Sequence, residues 1–198
     1  MKSAEKTSVK TLEFLTVAMH YIAIAENSTK SESGTFISDL SKILPYLYVK
    51  AMLIPSLNDE EEEILPDLIS IDEYNFVQNS AMKCLKDSDI PVFIPEDQEE
   101  EGRFVLLSEL IADIYQDIKS FVNAYSKCDE EEKAGLASAL RRIFIDYWGK
   151  KVLFVQIGLH RLISEEAPDI SDKSEAHTDV QEWFKPKGKK DKGLSDDI

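Results

Sequence analysis

The sequence contains few of the residues that mark a disulfide-rich, zinc-binding or loop-rich protein. Only two cysteines, Cys84 and Cys128, occur among its 198 residues. Two cysteines are too few for a disulfide framework or for the four ligands of a structural zinc site. Seven glycines and seven prolines argue against a fold built from many turns. We therefore expect a cytoplasmic protein with reduced thiols.

Positive charge and long apolar runs are also scarce. The chain has 38 acidic and 23 basic residues, which gives a formal net charge of −15. This charge disfavours binding to nucleic acid or to an anionic membrane. No apolar run is long enough to span a bilayer. The apolar stretch from Phe14 to Ala25 is interrupted by His20 and has helical periodicity, so we interpret it as part of the fold and not as a leader.

Known catalytic motifs are missing as well. The sequence has no Gly-rich phosphate loop, no G-x-S-x-G and no H-E-x-x-H. A di-iron bundle needs Glu-x-x-His, and none of the three histidines follows a glutamate at that spacing. The sequence therefore predicts no catalytic residue, metal or cofactor, and it favours a protein that is not an enzyme.

The strongest positive signal is the stretch from 136 to 163. Its first half is amphipathic, and Val152 to Leu159 is apolar on nearly every side. A helix that is hydrophobic all round must be surrounded by other elements, so we expect this helix at the centre, with a bend at Gly149. The apolar run from 151 to 157 also fits a buried strand. The unbroken helical phase, and the lack of another strand to pair with, favour the helix.

Periodicity predicts four further helices, at residues 8–26, 35–53, from Ser70 onward and at 105–126. The first has two apolar stripes and is expected to be packed on both faces. The second contains Pro45, which predicts a kink. Ser70 and Glu73 have the spacing of a capping box. The segment from Pro91 to Pro95 is expected to be extended, as an edge segment or a strap across the bundle.

The fourth helix shows the most regular pattern. Its apolar residues alternate three and four apart, as in the seam of a helical bundle: Leu107, Ile111, Ile114, Ile118, Phe121 and Tyr125. The fold class that follows is all-α. We predict a single-domain bundle of about five main helices at residues 1–164, with the first and fifth helices central, and a polar C-terminal tail at 165–198.

Polar residues on the last two helices form the main candidate site. Glu109, Asp113 and Asp117 are spaced four apart, so they line one face of the fourth helix. Arg142, Asp146 and Trp148 lie on the fifth helix. If the two faces meet, they form a polar cleft that could bind a partner, although a solvated acidic stripe gives the same pattern. The alternative function is a metal-dependent hydrolase that uses the carboxylates Glu109, Asp113, Asp117 and Asp146.

A resemblance rests on the residues from Leu107 to Lys119, on Tyr147-Trp148-Gly149 and on Leu159-His160. This pattern resembles a family of bacterial helical proteins known as a domain of unknown function. The resemblance covers mainly residues 104–160 and implies a helical fold of similar length. It implies no activity. It does imply that the face with Asp113, Asp117 and Trp148 has a role beyond packing.

The tail holds the second candidate site. Trp183 and Phe184 are adjacent, and Lys185, Lys187, Lys189, Lys190 and Lys192 follow them. Two large rings in a charged tail favour burial somewhere. The tail either folds back onto the acidic loops of its own domain or docks on another protein as a short motif. The function that we expect is a cytoplasmic protein–protein interaction or adaptor module with an unidentified protein partner.

Overall fold

The computed structural model describes residues 2–56, 69–95 and 102–166. Within these ranges the main elements, in chain order, are α1 (Lys2–Glu26), α2 (Ser33–Met52), α3 (Ile71–Leu85), β1 (Pro91–Ile94), β2 (Arg103–Leu106), α4 (Leu107–Lys127), α5 (Lys133–Ile143) and α6 (Gly149–Glu166). The prediction of an all-α bundle of about five main helices is confirmed. The predicted tail lies almost wholly outside the described residues.

Helix α4 lies at the centre of the bundle. Five of the six seam residues, from Leu107 to Phe121, are fully buried, and Tyr125 is half-buried. Helices α1, α3 and α6 all pack against α4. The buried Tyr21 of α1 donates a hydrogen bond of 2.7 Å to the carbonyl oxygen of Ile111. The predicted seam is therefore correct, and it belongs to the most enclosed helix.

Helix α1 is not the interior helix that its two apolar stripes suggested. Phe14, Ala18, Tyr21 and Ala25 form its buried face. On the opposite face Leu12 and Met19 are exposed, although the sequence predicted that they would be buried. An apolar helix face can be left for a partner outside the chain, which periodicity alone does not reveal.

Helix α2 runs through Pro45 as one helix, as predicted, and the kink at this residue stays a prediction. Proline has no N–H, so the carbonyl oxygen of Ser41, four residues earlier, lacks its usual helical donor. The side-chain amide of Gln156 on α6 donates a hydrogen bond of 3.2 Å to that oxygen. Pro45 thus leaves the Ser41 carbonyl oxygen free to accept the hydrogen bond from Gln156 that joins α2 to α6.

The start of α3 is a complete capping box. Ser70 Oγ accepts from the backbone N–H of Glu73, and the Glu73 side chain accepts from the backbone N–H of Ser70. At the start of α4 the cap comes from a distant residue. Asp89 accepts hydrogen bonds from the backbone N–H and the hydroxyl of Ser108 at 2.9 and 2.7 Å. Its negative charge is also favourable at a helix N-terminus.

The extended segment predicted at Pro91–Pro95 forms a hairpin that the sequence did not predict. Strands β1 and β2 pair antiparallel, with Val92 opposite Val105 and Phe93 opposite Phe104. The two valines are buried. Val92 faces α6 at Gly158, where an added Cβ would lie 2.7 Å from Leu107 and 3.0 Å from Val92. Glycine at this position therefore allows the close approach of hairpin and bundle.

Residues 133–166 are helical throughout, which excludes the buried strand. A π-helical turn (Phe144–Trp148) joins α5 to α6, directly before the glycine where a bend was predicted. Helix α6 is not enclosed on all sides, because Leu153 and Ile157 are exposed. The prediction that the first and fifth helices are central is therefore wrong, since α4 has that place. None of the helices that the structure describes is long and apolar enough to cross a membrane.

Replacing Ile118 by alanine tests the buried seam. Because Ile118 is fully buried, the substitution should lower the free energy of unfolding by about 2–4 kcal/mol. The control Leu153→Ala, on the exposed face of α6, should lower it by less than about 1 kcal/mol. Urea unfolding of both variants measures the difference. Equal losses would show that α4 is not the central helix.

Candidate functional site

The structure places one predicted site residue, Asp113, in a polar cluster that joins three helices. Its Oδ1 accepts a hydrogen bond of 2.7 Å from the hydroxyl of Tyr74 on α3. Its Oδ2 lies 2.7 Å from Lys151 Nζ on α6. Asp113 therefore connects three helices through two bonds. Neither Tyr74 nor Lys151 was predicted as a site residue.

Partial burial affects the acidity of Tyr74 in this cluster. Partial burial raises the pKa of Tyr74, and the hydrogen bond to Asp113 raises it further. Tyr74 and Asp113 also line a surface cavity of about 330 Å³, together with Gln116 and the first residues of α3. In this arrangement Tyr74 stays protonated as a donor, and Lys151 supplies the neutralising charge. Each carboxylate oxygen of Asp113 therefore already has a partner, Oδ1 the Tyr74 hydroxyl and Oδ2 the Lys151 ammonium group.

The other predicted residues do not assemble around Asp113 as one cleft. Glu109 lies 3.8 Å from Arg103 of β2. Arg142 and Asp146 are exposed. The cation on Asp113 is Lys151. Asp117 is half-buried one turn further along α4.

Trp148 is a core residue and not part of an accessible face. It is fully buried, with its ring 4.7 Å from Phe144 and 6.2 Å from Phe14, measured between centroids. The sequence suggested a surface position because Trp148 follows Asp146 and Tyr147. The π-helical turn shifts the helical phase at this point, so neighbours in sequence face different surroundings. Trp183 and Phe184 lie outside the described residues.

The geometry gives no support to the metal-dependent hydrolase. Among the described residues, no group of three His, Cys, Asp or Glu side chains lies close enough together to hold a metal ion. A cation at Asp113 would also have to displace Lys151 from its contact of 2.7 Å.

Exposed apolar residues that the sequence did not predict lie on α1 and α2. Five exposed positions on α1 follow a spacing of three and four residues, and His20 is exposed beside them: Val9, Leu12, Thr16, Met19 and Ala23. None of these residues is charged. The exposed apolar residues on α2 and at its C-terminal cap are Tyr46, Val49, Met52 and Leu53. We call these two sets together the α1–α2 surface.

A groove runs between the two helices of this surface. Glu13 of α1 bonds Lys50 of α2 at 3.0 Å, and bonds from Lys50 and Lys10 lower the pKa of Glu13. Further along α1, Ile24 lines the same cavity as Ile43 of α2, so the helices run antiparallel. The cavity measures about 390 Å³, and its walls are mainly apolar, with Ala23, Ile24, Ile43 and Tyr46 among them.

Comparison with known proteins shows where the chain belongs. The sequence profile of a domain of unknown function, DUF5063, matches residues 5–165. The chain is a member of this family. The match runs from the first turn of α1 to the last turn of α6, so it extends well beyond the residues 104–160 on which the resemblance was based.

A solved structure supports the fold. The crystal structure of protein BF1032 from Bacteroides fragilis, a structural-genomics target, is similar to this chain with a TM-score of 0.67 and 26% sequence identity. The similarity covers 81% of this chain and 95% of that protein. A search of curated proteins found no match.

Replacing Tyr74 by phenylalanine tests the Asp113 cluster. The variant lacks the bond to Asp113, so near pH 8 it should be less stable by about 1 kcal/mol. A raised pKa in the folded state means that the stabilisation from Tyr74 is complete below about pH 10 and decreases above it, as the unfolded tyrosine ionises. The difference in the free energy of unfolding between the wild type and the variant should therefore become smaller at pH 10.5.

Urea unfolding at the two pH values measures this change. The control Tyr46→Phe alters an exposed tyrosine and should leave the free energy of unfolding near pH 8 within about 0.5 kcal/mol of the wild type. A stability of Tyr74→Phe equal to that of the wild type near pH 8 would contradict the cluster.

Proposed function

We propose that this protein is a protein–protein interaction module that binds an amphipathic helix of another protein on its α1–α2 surface. Two observations carry the proposal: the exposed apolar stripe on α1, where Met19 is 60% exposed, and the apolar groove between α1 and α2, where Tyr46 is 64% exposed. Exposed apolar area on a protein surface is typical of interaction sites.

The spacing favours a helix as the bound element. Apolar residues three and four apart form the seam by which one helix packs along another. The groove is lined by the half-buried side chains of Ile24 and Ile43 and by the exposed side chain of Tyr46. An amphipathic helix would place apolar side chains at positions i, i+3 and i+7 into such a groove.

Charge favours a different protein over a second copy. Two copies of a chain with net charge −15 repel each other. At the rim of the groove His20 and Lys42 accompany Asp39, so the surface itself is not acidic. We infer a partner helix whose polar side is neutral or basic.

The cytoplasm is the compartment that we propose for this interaction. Cys84 and Cys128 are both free thiols, and Cys84 is buried. Unpaired cysteines are typical of proteins in a reducing compartment. An adaptor of this kind needs no cofactor.

A photo-crosslinking experiment tests the docking surface. A benzophenone amino acid at position 19 or 46, introduced into the full chain in its native host, should cross-link to one and the same protein. The matched control at position 157 replaces Ile157, which is equally exposed but lies on α6. It should give no cross-link to that protein. The cross-linked peptide of the partner should map to an amphipathic helix.

Binding of the purified partner gives the quantitative test. The variant Met19→Glu with Tyr46→Glu should weaken binding by about tenfold or more, since it places charge in the apolar contact. Ile157→Glu should bind as the wild type does. Both changes are at exposed positions, so the melting temperature should stay nearly constant. Cross-linking only to a second copy of the chain, or equal affinity of both variants, would overturn the proposal.

A further inference from the structure

The methionines that the structure describes all expose their side chains to solvent. Three of the four methionines are described, and their exposed fractions are 60% for Met19, 49% for Met52 and 42% for Met82. Met19 and Met52 belong to the α1–α2 surface, whereas Met82 lies on α3. A thioether is apolar enough to pack in a docking contact, but a peroxide converts it into a polar sulfoxide.

The two cysteines are shielded from the same chemistry. Cys84 is 6% exposed, and Cys128 is half-buried. Burial raises the pKa of both thiols, so both stay protonated near neutral pH. The thiolate is the form of cysteine that reacts with oxidants. Among the described residues, the sulfur atoms that meet solvent in a reactive form are therefore those of the three methionines.

Met19 and Met52 lie in different parts of the α1–α2 surface. Met19 directly precedes His20, which lines the cavity between the two helices. Met52 lies two residues after Lys50, whose bond to Glu13 joins the helices further along. Oxidation of both sulfur atoms therefore changes the surface beside the cavity and also away from it.

Oxidation at these two positions changes the surface and leaves the core intact. Met19 lies opposite the buried face of α1, which includes Phe14 and Tyr21. The side chain of Met52 is exposed, while its carbonyl oxygen accepts a hydrogen bond from Arg141 of α5. That bond holds the end of α2 in both oxidation states of the sulfur. Changes at exposed positions of this kind have small effects on stability.

We propose that oxidation of Met19 and Met52 by a peroxide releases the partner helix from the α1–α2 surface. This proposal rests on the function proposed above and adds its regulation. The thioether sulfur attacks one oxygen of hydrogen peroxide, an S=O bond forms, the O–O bond breaks, and the second oxygen leaves as water with both hydrogens. Methionine loses two electrons, and the peroxide gains them. Methionine sulfoxide reductases reverse the change with electrons from thiols.

The sulfoxide weakens docking because its oxygen must lose water when the partner helix binds. Burying a polar group without a hydrogen-bond partner is unfavourable. The flanking positions of the exposed stripe on α1 are Leu12, Thr16 and Ala23, and of these only Thr16 has a side-chain donor. The hydroxyl of Thr16 already donates to the carbonyl oxygen of Leu12 at 3.0 Å.

Binding of the purified partner before and after peroxide treatment tests this proposal. The full chain is treated with hydrogen peroxide and then with a thiol reductant, which returns cysteines to thiols and leaves the sulfoxides. Peptide mass spectrometry measures the sulfoxide at each methionine. Oxidation should weaken the affinity for the partner by about tenfold or more, while the melting temperature stays nearly constant. Sulfoxide reductases should restore the affinity.

Each variant is compared with itself before and after oxidation. Met19→Leu with Met52→Leu has no oxidisable sulfur on the α1–α2 surface and should keep its own affinity after peroxide treatment. The matched control Met82→Leu should lose affinity as the wild type does.

The outcomes separate this proposal from the function on which it rests. An oxidised wild type that binds the partner as tightly as the reduced protein would overturn this proposal alone. An equal loss of affinity in the double leucine variant and the wild type would also overturn it alone, since oxidation elsewhere would then be the cause. A reduced wild type that does not bind the partner would overturn the proposed function, and this proposal with it.

Discussion

The burial of α4 is the constraint on which the rest of the structure depends. Its apolar seam must be covered from several sides, and α1, α3 and α6 cover it. Each covering helix is joined to α4 by a polar bond: Tyr21 to the Ile111 carbonyl, Tyr74 to Asp113, and Lys151 to Asp113. These bonds satisfy polar groups that would otherwise oppose burial. Among the residues that the structure describes, no further helix or strand covers the exposed apolar residues on the outer faces of α1, α2 and α6.

The distribution of exposed apolar residues follows from this arrangement. Helix α1 has enough apolar residues for two packed faces, but α4 and α2 occupy only one side of it. The other side presents Leu12 and Met19 to solvent. The same holds for the hairpin, where two valines are sufficient for its contact with the bundle and two phenylalanines remain outside. Both areas leave large apolar side chains exposed to solvent.

The sequence predicted the helices better than their surroundings. The seam of α4, the capping box at Ser70 and the continuity of α2 through Pro45 are local patterns, and the structure confirms them. The hairpin was missed because Arg103–Leu106 directly precedes a strong helical pattern. Its partner strand lies on the other side of an acidic segment, so pairing is not visible in local periodicity.

The candidate site was predicted only in part, for a physical reason. Asp113 was singled out from its spacing on α4, but its partners Tyr74 and Lys151 come from helices that are distant in sequence. Lys151 was overlooked because it lies at the edge of an apolar run. Trp148 was misplaced because a π-helical turn changes the phase of the helix. Periodicity reports which face is apolar, and it does not report whether the covering element belongs to the same chain.

Oxidative footprinting tests the central claim most directly, because it needs no knowledge of the partner. Hydroxyl-radical labelling of the purified protein should modify Met19, Tyr46 and Met82, since all three are exposed. In intact cells of the native host, Met19 and Tyr46 should become protected, while Met82 on α3 should be labelled as in the purified protein. Equal labelling of Met19 and Tyr46 in both settings would contradict a docked partner on the α1–α2 surface.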